Sequence, residues 1–287
     1  MKSFTYQIAI MILAALTVLP VLADDSKEAA TAELEQGKIL NRRYEFKFKE
    51  DPKKTVGYCI YIPTNYDKKK PTPLIVALHG LFSNPGQIMN YPKFIPHAEK
   101  RGYIIVAPMG YNSRGWYGSR KTGRSDPDLQ MRSEQDVMNV LKLTREELNI
   151  DESKIYLLGH SMGGGGTLHL AIKYSEIWAA IAPIAPAVPK NIDDLKDAKH
   201  IPAIVIQGDK DGLVHGTRRW VNKMKELEMD HKYIEVAGGG HLLVAFQHFP
   251  EIFDFFDSKT KDDDKKDGRT KVGGKNGNNA KGDESKE

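Results

Sequence analysis

The chain has 287 residues, of which 40% are hydrophobic and 28% are charged. This balance excludes a largely disordered chain and a membrane protein with several spans. The formal net charge of +4 is too small to indicate a nucleic-acid-binding surface, so no nucleic-acid partner is expected. A single cysteine, Cys59, excludes an internal disulfide and any zinc site that needs several cysteines.

The N-terminal segment has the composition of a secretory signal. Lys2 precedes an apolar stretch from Ile8 to Ala23, and Asp24 follows it directly. The stretch is shorter than the ~20 residues that a membrane-spanning helix needs, so an uncleaved anchor is the less favoured alternative. We expect a signal peptide over residues 1–23, cleavage after Ala23, and a secreted or periplasmic protein that is not held at the membrane afterwards.

The C-terminal segment has the opposite composition. Residues 258–287 are dominated by Lys, Asp, Gly and Asn and contain no aromatic side chain. Such a sequence buries too little apolar surface to offset the entropy of ordering, which predicts a disordered charged tail. Residues 24–41 are expected to form a linker, and residues 42–257 one folded domain.

Short apolar runs and helical patterns alternate through this domain. Residues 44–48 and 56–62 alternate apolar with polar side chains and indicate two half-exposed antiparallel edge strands. The later runs are apolar at consecutive positions, as strands buried on both faces require. These runs are Leu74–Leu78, Tyr103–Ala107, Ile155–Leu158, Ala179–Ile184 and Ile201–Ile206.

The helical patterns lie between and after these runs. The alternation predicts an α/β fold with a mostly parallel, doubly wound sheet. In such sheets the functional residues follow the carboxyl ends of the strands. The helical segments are Glu134–Leu148, Gly165–Tyr174, Arg218–Glu228 and Leu242–Phe256.

Residues 159–163 read Gly-His-Ser-Met-Gly and lie between a predicted strand and a predicted helix. In this G-x-S-x-G pattern the glycines permit a turn so sharp that the serine hydroxyl is raised above the sheet. The turn also directs the N-terminus of the following helix at Ser161, which favours negative charge there. A phosphate-binding loop is excluded because Gly165 stands where its lysine is required. Ser161 is the predicted nucleophile.

A serine nucleophile needs a base, and His241 is the predicted one. It follows the glycine run 238–240, which allows the loop to bend the imidazole back over the sheet. Other histidines, such as His248 in a predicted helix, are expected to serve packing or the surface. His160 lies inside the turn and is expected to line the site rather than act as the base.

An acid is needed to fix the tautomer of His241 and to stabilise its charged form. Asp209 and Asp211 both follow the predicted strand that ends at Ile206. Asp211 is favoured because it lies deeper in the loop, and Asp209 is the alternative. A calcium loop is not indicated, because no further carboxylates follow at the required spacing.

Two backbone N–H groups are expected to stabilise the oxyanion that develops during attack. One belongs to Met162, directly after the nucleophile, and the other to Leu81, after the pair His79 and Gly80. Four side chains near these loops are candidates for a substrate cleft, although Trp116 has the alternative of only packing its own loop down. The candidates are Phe82, Trp116, Tyr117 and His160.

From Val56 to Phe256 the chain resembles secreted α/β-hydrolases, nearest to feruloyl esterases, polyhydroxybutyrate depolymerases and dienelactone hydrolases. The family pattern places the acid three residues after a glycine, at Asp211. Many α/β-hydrolases carry a cap domain at the point where this chain has only Ala187–His200. The run 159–168 is also similar to bacterial cutinases, which usually carry a disulfide that one cysteine forbids. The matching pieces are residues 78–80, 106–108, 159–163, 208–211 and 240–241.

The resemblance implies an α/β-hydrolase fold without a large cap domain and a serine esterase that needs no cofactor or metal. The expected substrates are short-chain or aryl esters of the feruloyl type, small or polymeric, cleaved through an acyl-serine intermediate. The alternatives are a polyester hydrolase of the cutinase or polyhydroxybutyrate depolymerase type, a peptidase similar to prolyl oligopeptidases, and a non-catalytic binding protein. The sequence determines neither the acyl and alcohol specificity nor the oligomeric state.

Overall fold

The computed structural model describes residues 35–50, 52–121 and 126–261. The expected signal peptide, most of the expected linker and nearly all of the expected tail lie outside these residues. Within the described part of the chain, no helix is long and apolar enough to cross a membrane.

Eight strands form one sheet. Each buried run in the sequence became a strand, because a strand covered on both faces needs apolar side chains at every position. The strands are β1 (Ile39–Phe46), β2 (Lys54–Tyr61), β3 (Thr72–Leu78), β4 (Ile104–Pro108), β5 (Ile150–His160), β6 (Ala180–Ile184), β7 (Ala203–Gly208) and β8 (His231–Val236). Their order across the sheet is β1-β2-β4-β3-β5-β6-β7-β8. β1 and β2 are antiparallel at one edge, and the six strands from β4 to β8 are mutually parallel.

Helices connect the parallel strands. The α-helices of the described residues are α1 (Pro85–Met89), α2 (Phe94–Arg101), α3 (Leu129–Glu147), α4 (Met162–Lys173), α5 (Val214–Glu226), α6 (Val244–Gln247) and α7 (Phe249–Asp257). The helical pattern predicted from Leu242 to Phe256 is interrupted at His248. The break lies beside Pro250, which lacks an N–H and restricts the residue before it. Helices α1 and α2 were not predicted, since neither is long enough to show a clear apolar period.

Both faces of the sheet are covered. Val76, Val106 and Leu157 are fully inaccessible to solvent, and so are their neighbours on the opposite face. An apolar cluster joins one face to α1, α2, α6 and α7, and the rings of Phe94 and Phe249 stack in it with centroids 4.7 Å apart. The mostly parallel, doubly wound α/β-hydrolase architecture with an antiparallel edge is therefore confirmed.

The topology delivers several loops to the same edge of the sheet. The loops after β3, β5, β7 and β8 all leave from the carboxyl ends of parallel strands. Between β6 and β7 there is only a short 3₁₀ helix, Asp193–Ala198, which is too small to cover these loops. The carboxyl edge is thus left open for a site.

Candidate active site

The turn between β5 and α4 holds Ser161 in a strained conformation. Its φ and ψ are 58° and −113°, a region that residues other than glycine rarely enter. A Cβ at Gly159 would lie 2.3 Å from the Gly163 carbonyl oxygen, and one at Gly163 would lie 2.1 Å from the Leu78 carbonyl oxygen. Both glycines are therefore required by close backbone approach, and Ser161 bears a strain of about 1–3 kcal/mol.

Backbone hydrogen bonds from neighbouring elements hold this turn. The Ser161 N–H donates to the Ile184 carbonyl oxygen at 2.9 Å. The Ser161 carbonyl oxygen accepts from the N–H groups of Gly165 at 3.0 Å and Ala187 at 2.8 Å. The end of β6 and the start of α4 thus fix the serine backbone and leave its side chain directed away from the sheet.

Ser161, His241 and Asp211 form one hydrogen-bonded series. The Ser161 Oγ lies 2.9 Å from His241 Nε2, and His241 Nδ1 lies 2.7 Å from Asp211 Oδ2. Since a carboxylate accepts, His241 carries its proton on Nδ1, and Nε2 is left to accept from the serine. This is the geometry that general-base activation of a serine requires.

Asp211 is buried, and its carboxylate is held by several donors. Oδ1 accepts from the Leu213 N–H at 3.0 Å, and Oδ2 also accepts from Gln207 Nε2 at 2.9 Å. Gln207 is fixed in turn by the Thr217 hydroxyl, which donates to its Oε1 at 2.7 Å. Burial alone would raise the Asp211 pKa, but the bonds from His241, Leu213 and Gln207 outweigh burial and lower it. The acid stays ionised beside the base.

Asp209, the alternative acid, has a different role in the structure. Its Oδ1 accepts from the Gly238 N–H at 2.8 Å, whereas the imidazole is hydrogen-bonded to Asp211. It therefore closes the glycine run that precedes His241. The two aspartates of one loop hold the histidine loop at two separate points.

Two backbone N–H groups are available beside the serine. Met162 is the first residue of α4, so its N–H has no acceptor within the helix. On the opposite side, the Phe82 N–H donates to the Ser113 carbonyl oxygen and the Ser83 N–H to that of Gly80. The N–H of Leu81, directly before Phe82, makes no hydrogen bond to any residue that the structure describes.

A cleft of about 740 Å³ opens over the serine. Phe82 and His160 contribute to its wall as expected from the sequence, and Tyr91 and Phe246 are walls that sequence reasoning missed. Its rim is apolar and exposed, since Phe82 is 71% and Leu242 is 61% accessible. The lining residues are Gly80, Leu81, Phe82, Ser83, Gln87, Asn90, Tyr91, His160, Ser161, His241, Leu242 and Phe246.

His160 links the cleft wall to the catalytic loop. Its Nε2 lies 3.0 Å from the His241 carbonyl oxygen, and its Nδ1 lies 2.9 Å from the Tyr91 hydroxyl. Burial lowers the His160 pKa to about 4, so the ring is neutral at ordinary pH. The neutral ring therefore donates from Nε2 to His241 and accepts the Tyr91 hydroxyl proton at Nδ1.

Trp116 and Tyr117 do not line this cleft, which corrects the sequence expectation. Tyr117 is fully buried, with its N–H donating to Ser133 Oγ at 2.9 Å and its ring against Gly166 of α4. Trp116 is half-buried and stacks on Arg120 instead. The sequence showed two aromatic residues in a loop, but the direction of each depends on α3 and α4, which lie elsewhere in the chain.

The chain is similar to known ester hydrolases in sequence and in fold. Residues 59–255 match the family model of PET hydrolase-like proteins. A bifunctional acetylxylan esterase/xylanase of Neocallimastix patriciarum is 28% identical over 54% of this chain and 21% of its own length. A probable feruloyl esterase C of Aspergillus flavus is 29% identical over 46% of each chain. The solved structure of a ferulic acid esterase from Anaeromyces mucronatus superposes with a TM-score of 0.61 and 18% identity, covering 83% of this chain and 96% of that one.

The coverage and the sequence identity of these matches limit what they establish about this chain. The chain spans less than half the length of the two curated relatives. At 18% identity the structural match establishes the fold, and a fold by itself does not determine the activity of a protein. The activity must therefore be argued from the residues at the site.

Proposed function

The chain belongs to the PET hydrolase-like family, and we propose that it is a serine carboxylic ester hydrolase acting through an acyl-serine intermediate. The observation that carries this proposal is the hydrogen-bonded series of Ser161, His241 and Asp211 beside an open cleft. The esterase names of the curated relatives support it.

The first half of the reaction forms the acyl-enzyme. Ser161 Oγ attacks the ester carbonyl carbon while His241 Nε2 takes its proton, and the carbonyl electron pair moves to the oxygen. The N–H groups of Met162 and Leu81 donate to that oxyanion. Asp211 stabilises the imidazolium through Nδ1. The oxyanion then collapses, and the alcohol leaves with the proton that His241 had taken.

The second half of the reaction repeats these roles with water. His241 removes a proton from a water molecule that attacks the acyl carbon, and the same two N–H groups hold the second oxyanion. Its collapse breaks the bond to Ser161 Oγ, which takes the proton back from His241. The products are a free carboxylic acid and the original enzyme.

The cleft supports short-chain or aryl esters as substrates. Tyr91 and Phe246 meet edge to face with centroids 4.8 Å apart and form an aromatic wall, while Gln87 and Asn90 add polar groups. A planar aryl group fits against such a wall. Since only a short 3₁₀ helix follows β6, no cap covers the cleft within the described ranges, and we expect soluble esters to enter directly.

A substrate panel tests the proposal. Purified protein is assayed with p-nitrophenyl acetate, a longer p-nitrophenyl ester, methyl ferulate, a polyester film and a p-nitroanilide peptide, with Ser161→Ala as the blank. We expect turnover of the soluble esters and none of the peptide. Peptide cleavage without ester cleavage would establish the peptidase alternative, and turnover of the film alone would establish the polyesterase alternative.

Substrate concentration tests the open cleft separately. The rate on a sparingly soluble ester is followed across its solubility limit, and we expect a smooth saturation curve. A sharp rise at the emulsion boundary would mean that an unrecognised segment covers the cleft.

Export is part of the same proposal. The apolar stretch that ends at Ala23 supports it, because a basic residue precedes the stretch and small residues end it, as in a secretory signal. N-terminal sequencing of protein from the culture medium or periplasm should begin at Asp24. A retained Met1 would contradict cleavage.

A further inference from the structure

A second cavity, of about 680 Å³, lies apart from the catalytic cleft and shares no lining residue with it. Its walls come from the loop Gly118–Lys121, from α4 at His169 and Ile172, and from the segment Pro189–Asn191 after β6. We name it the Arg120 cavity. Its volume is in the range of small-molecule binding sites, and the proposed hydrolysis makes no use of it.

The charges on its walls are predominantly positive. Arg120, Lys121 and Lys190 line the cavity, and none of them forms an ion pair with any residue in the described ranges. One carboxylate, that of Asp194, lines it as well and accepts from Asn191 Nδ2 at 2.6 Å. Unpaired cations that converge on a concave surface attract anions.

The buried carboxylate of Glu134, which bonds the cavity residue His169, does not neutralise these cations because it has its own partners. Glu134 accepts from His169 at 2.8 Å, from Lys173 at 2.6 Å and from the Tyr174 hydroxyl at 2.7 Å. Burial would raise its pKa, but these three bonds lower it to about 2. Its charge is therefore compensated by side chains other than the three unpaired cations.

Arg120 is held in place without a carboxylate. Its guanidinium lies over the Trp116 ring, 4.3 Å from the ring centroid, and its one hydrogen bond in the described chain is a long contact of 3.4 Å from Nη2 to the Val188 carbonyl oxygen. Its Nε is buried and has no partner among the described residues. The buried Nε does not reach the cavity, but a guanidinium fixed by stacking keeps N–H groups of Nη1 and Nη2 for a planar, two-oxygen acceptor.

The loop that carries Trp116 is strained. Trp116 and Tyr117 have φ values of 60° and 50°, where bulky residues are rare, at a cost on the order of 1–3 kcal/mol each. The Tyr117 N–H donates to Ser133 Oγ at 2.9 Å, and the Tyr111 N–H donates to Asp136 Oδ2 at 3.0 Å. Helix α3 thus stabilises a strained loop, and this loop conformation places Trp116 against Arg120.

We propose that the Arg120 cavity binds a carboxylate-bearing ligand, with Arg120 as its anchor. Lys121 and Lys190 add positive charge. The Ser119 hydroxyl and the Gln130 and Asn191 amides each donate one hydrogen bond within the protein, and their remaining N–H groups and lone pairs suit a hydroxylated skeleton such as a uronic acid. Binding needs no hydrolysis, so this proposal stands or falls independently of the esterase proposal.

Calorimetric titration of the full chain tests it. The Ser161→Ala variant, which cannot acylate, is titrated with D-glucuronate and with uncharged methyl D-glucoside at low ionic strength. We expect glucuronate to bind at least tenfold more tightly than the glucoside, and Arg120→Gln to weaken it about tenfold to a hundredfold. Arg114→Gln is the matched control, because Arg114 is exposed in the same loop and does not line the cavity.

Several results would overturn the proposal. The first is equal affinity for the two sugars, and the second is an equal loss of glucuronate affinity in Arg120→Gln and Arg114→Gln. The third is binding of inorganic phosphate by a protein that does not bind glucuronate. If Arg120→Gln does not fold, the exposed Lys190→Gln replaces it, with Lys199→Gln as its control. Lys190→Gln should weaken glucuronate binding about twofold to fivefold and Lys199→Gln should not. Identical affinities in that pair would also refute the proposal.

Discussion

Several residues other than glycine have a positive φ in this molecule, and two of the regions that hold them use the strain differently. In the turn after β5, Ser161 has a φ of 58°, and in the loop after β4, Trp116 and Tyr117 have values of 60° and 50°. The serine side chain reaches a base at 2.9 Å. Tyr117 is instead fully buried, and Trp116 supports Arg120.

The difference shows that strain alone does not identify a reactive residue. The turn at Ser161 is forced by close approach of backbone to backbone, and its glycines reveal it. The loop at Trp116 is held by polar side chains of α3, and its glycines Gly110, Gly115 and Gly118 also lie in close contact with other residues. A strained residue is catalytic only where a hydrogen-bond partner able to move a proton faces it.

Removing the serine hydroxyl gives the largest expected effect. Ser161→Ala should lower kcat by roughly 10³–10⁶-fold, as for catalytic serines elsewhere. A fluorophosphonate should label the unaltered protein at Ser161 and should not label the variant. Trp116→Gly, which relieves strain in the other region, should keep kcat within about tenfold and keep the label. Equal losses in both variants would mean that the two regions serve the same reaction.

The two aspartates after β7 should differ strongly. Asp211→Asn should lower kcat by about 10⁴-fold, because an amide in contact with Nδ1 favours the wrong tautomer of His241. Asp209→Asn should cost about tenfold or less, since an amide oxygen still accepts from the Gly238 N–H. Steady-state kinetics of both variants provides the measurement, and the reverse ranking would move the acid to Asp209.

The strained loop should make folding stability depend on pH through Asp136. This buried carboxylate accepts from Tyr44 and from the Tyr111 N–H, and burial raises its pKa to about 6 from the ordinary 3.8. The folded protein holds the Asp136 proton more tightly than the unfolded chain does. The protonated carboxyl therefore makes its full contribution to the free energy of unfolding below about pH 4. This contribution, about 3 kcal/mol, is lost as the pH rises to about 6.

Denaturant unfolding between pH 4 and 6.5 measures this dependence. The difference in unfolding free energy between the unaltered protein and Asp136→Asn should change across that range, because the variant lacks the titrating group. Ser133→Ala removes another support of the same loop but no titrating group, so its difference should stay constant. If the unfolding free energies of Asp136→Asn and of the unaltered protein change with pH in parallel, the raised pKa of Asp136 is contradicted.

The smallest expected effect concerns the link between the cleft wall and the catalytic loop. Tyr91→Phe removes the hydroxyl that donates to His160, the residue whose Nε2 holds the His241 carbonyl oxygen. We expect kcat to fall about threefold to tenfold with KM little changed. The reason is that the variant weakens the positioning of His241 and removes no substrate contact. Tyr233→Phe, which removes an exposed hydroxyl bonded to Glu235, is the control. A rise in KM at constant kcat would make Tyr91 a substrate contact only.

Much of the fold was predictable from the sequence, because its determinants are local. Consecutive apolar residues predict buried strands, and the alternation with helices predicts the parallel sheet. The close approach at Gly159 and Gly163 follows from the turn itself, so Ser161 could be named as the nucleophile. Its base and its acid were sought after later strands because parallel strands bring their carboxyl ends to one edge.

Tertiary structure alone decided the features that depend on residues far apart in the chain. Tyr91 and His160 are separated by 69 positions, and Tyr117 is turned inward by Ser133 and Gly166. The Arg120 cavity joins a loop after β4, helix α4 and the segment after β6. Sequence patterns report the preferences of single elements, whereas the direction of a loop side chain depends on the space that other elements leave for it.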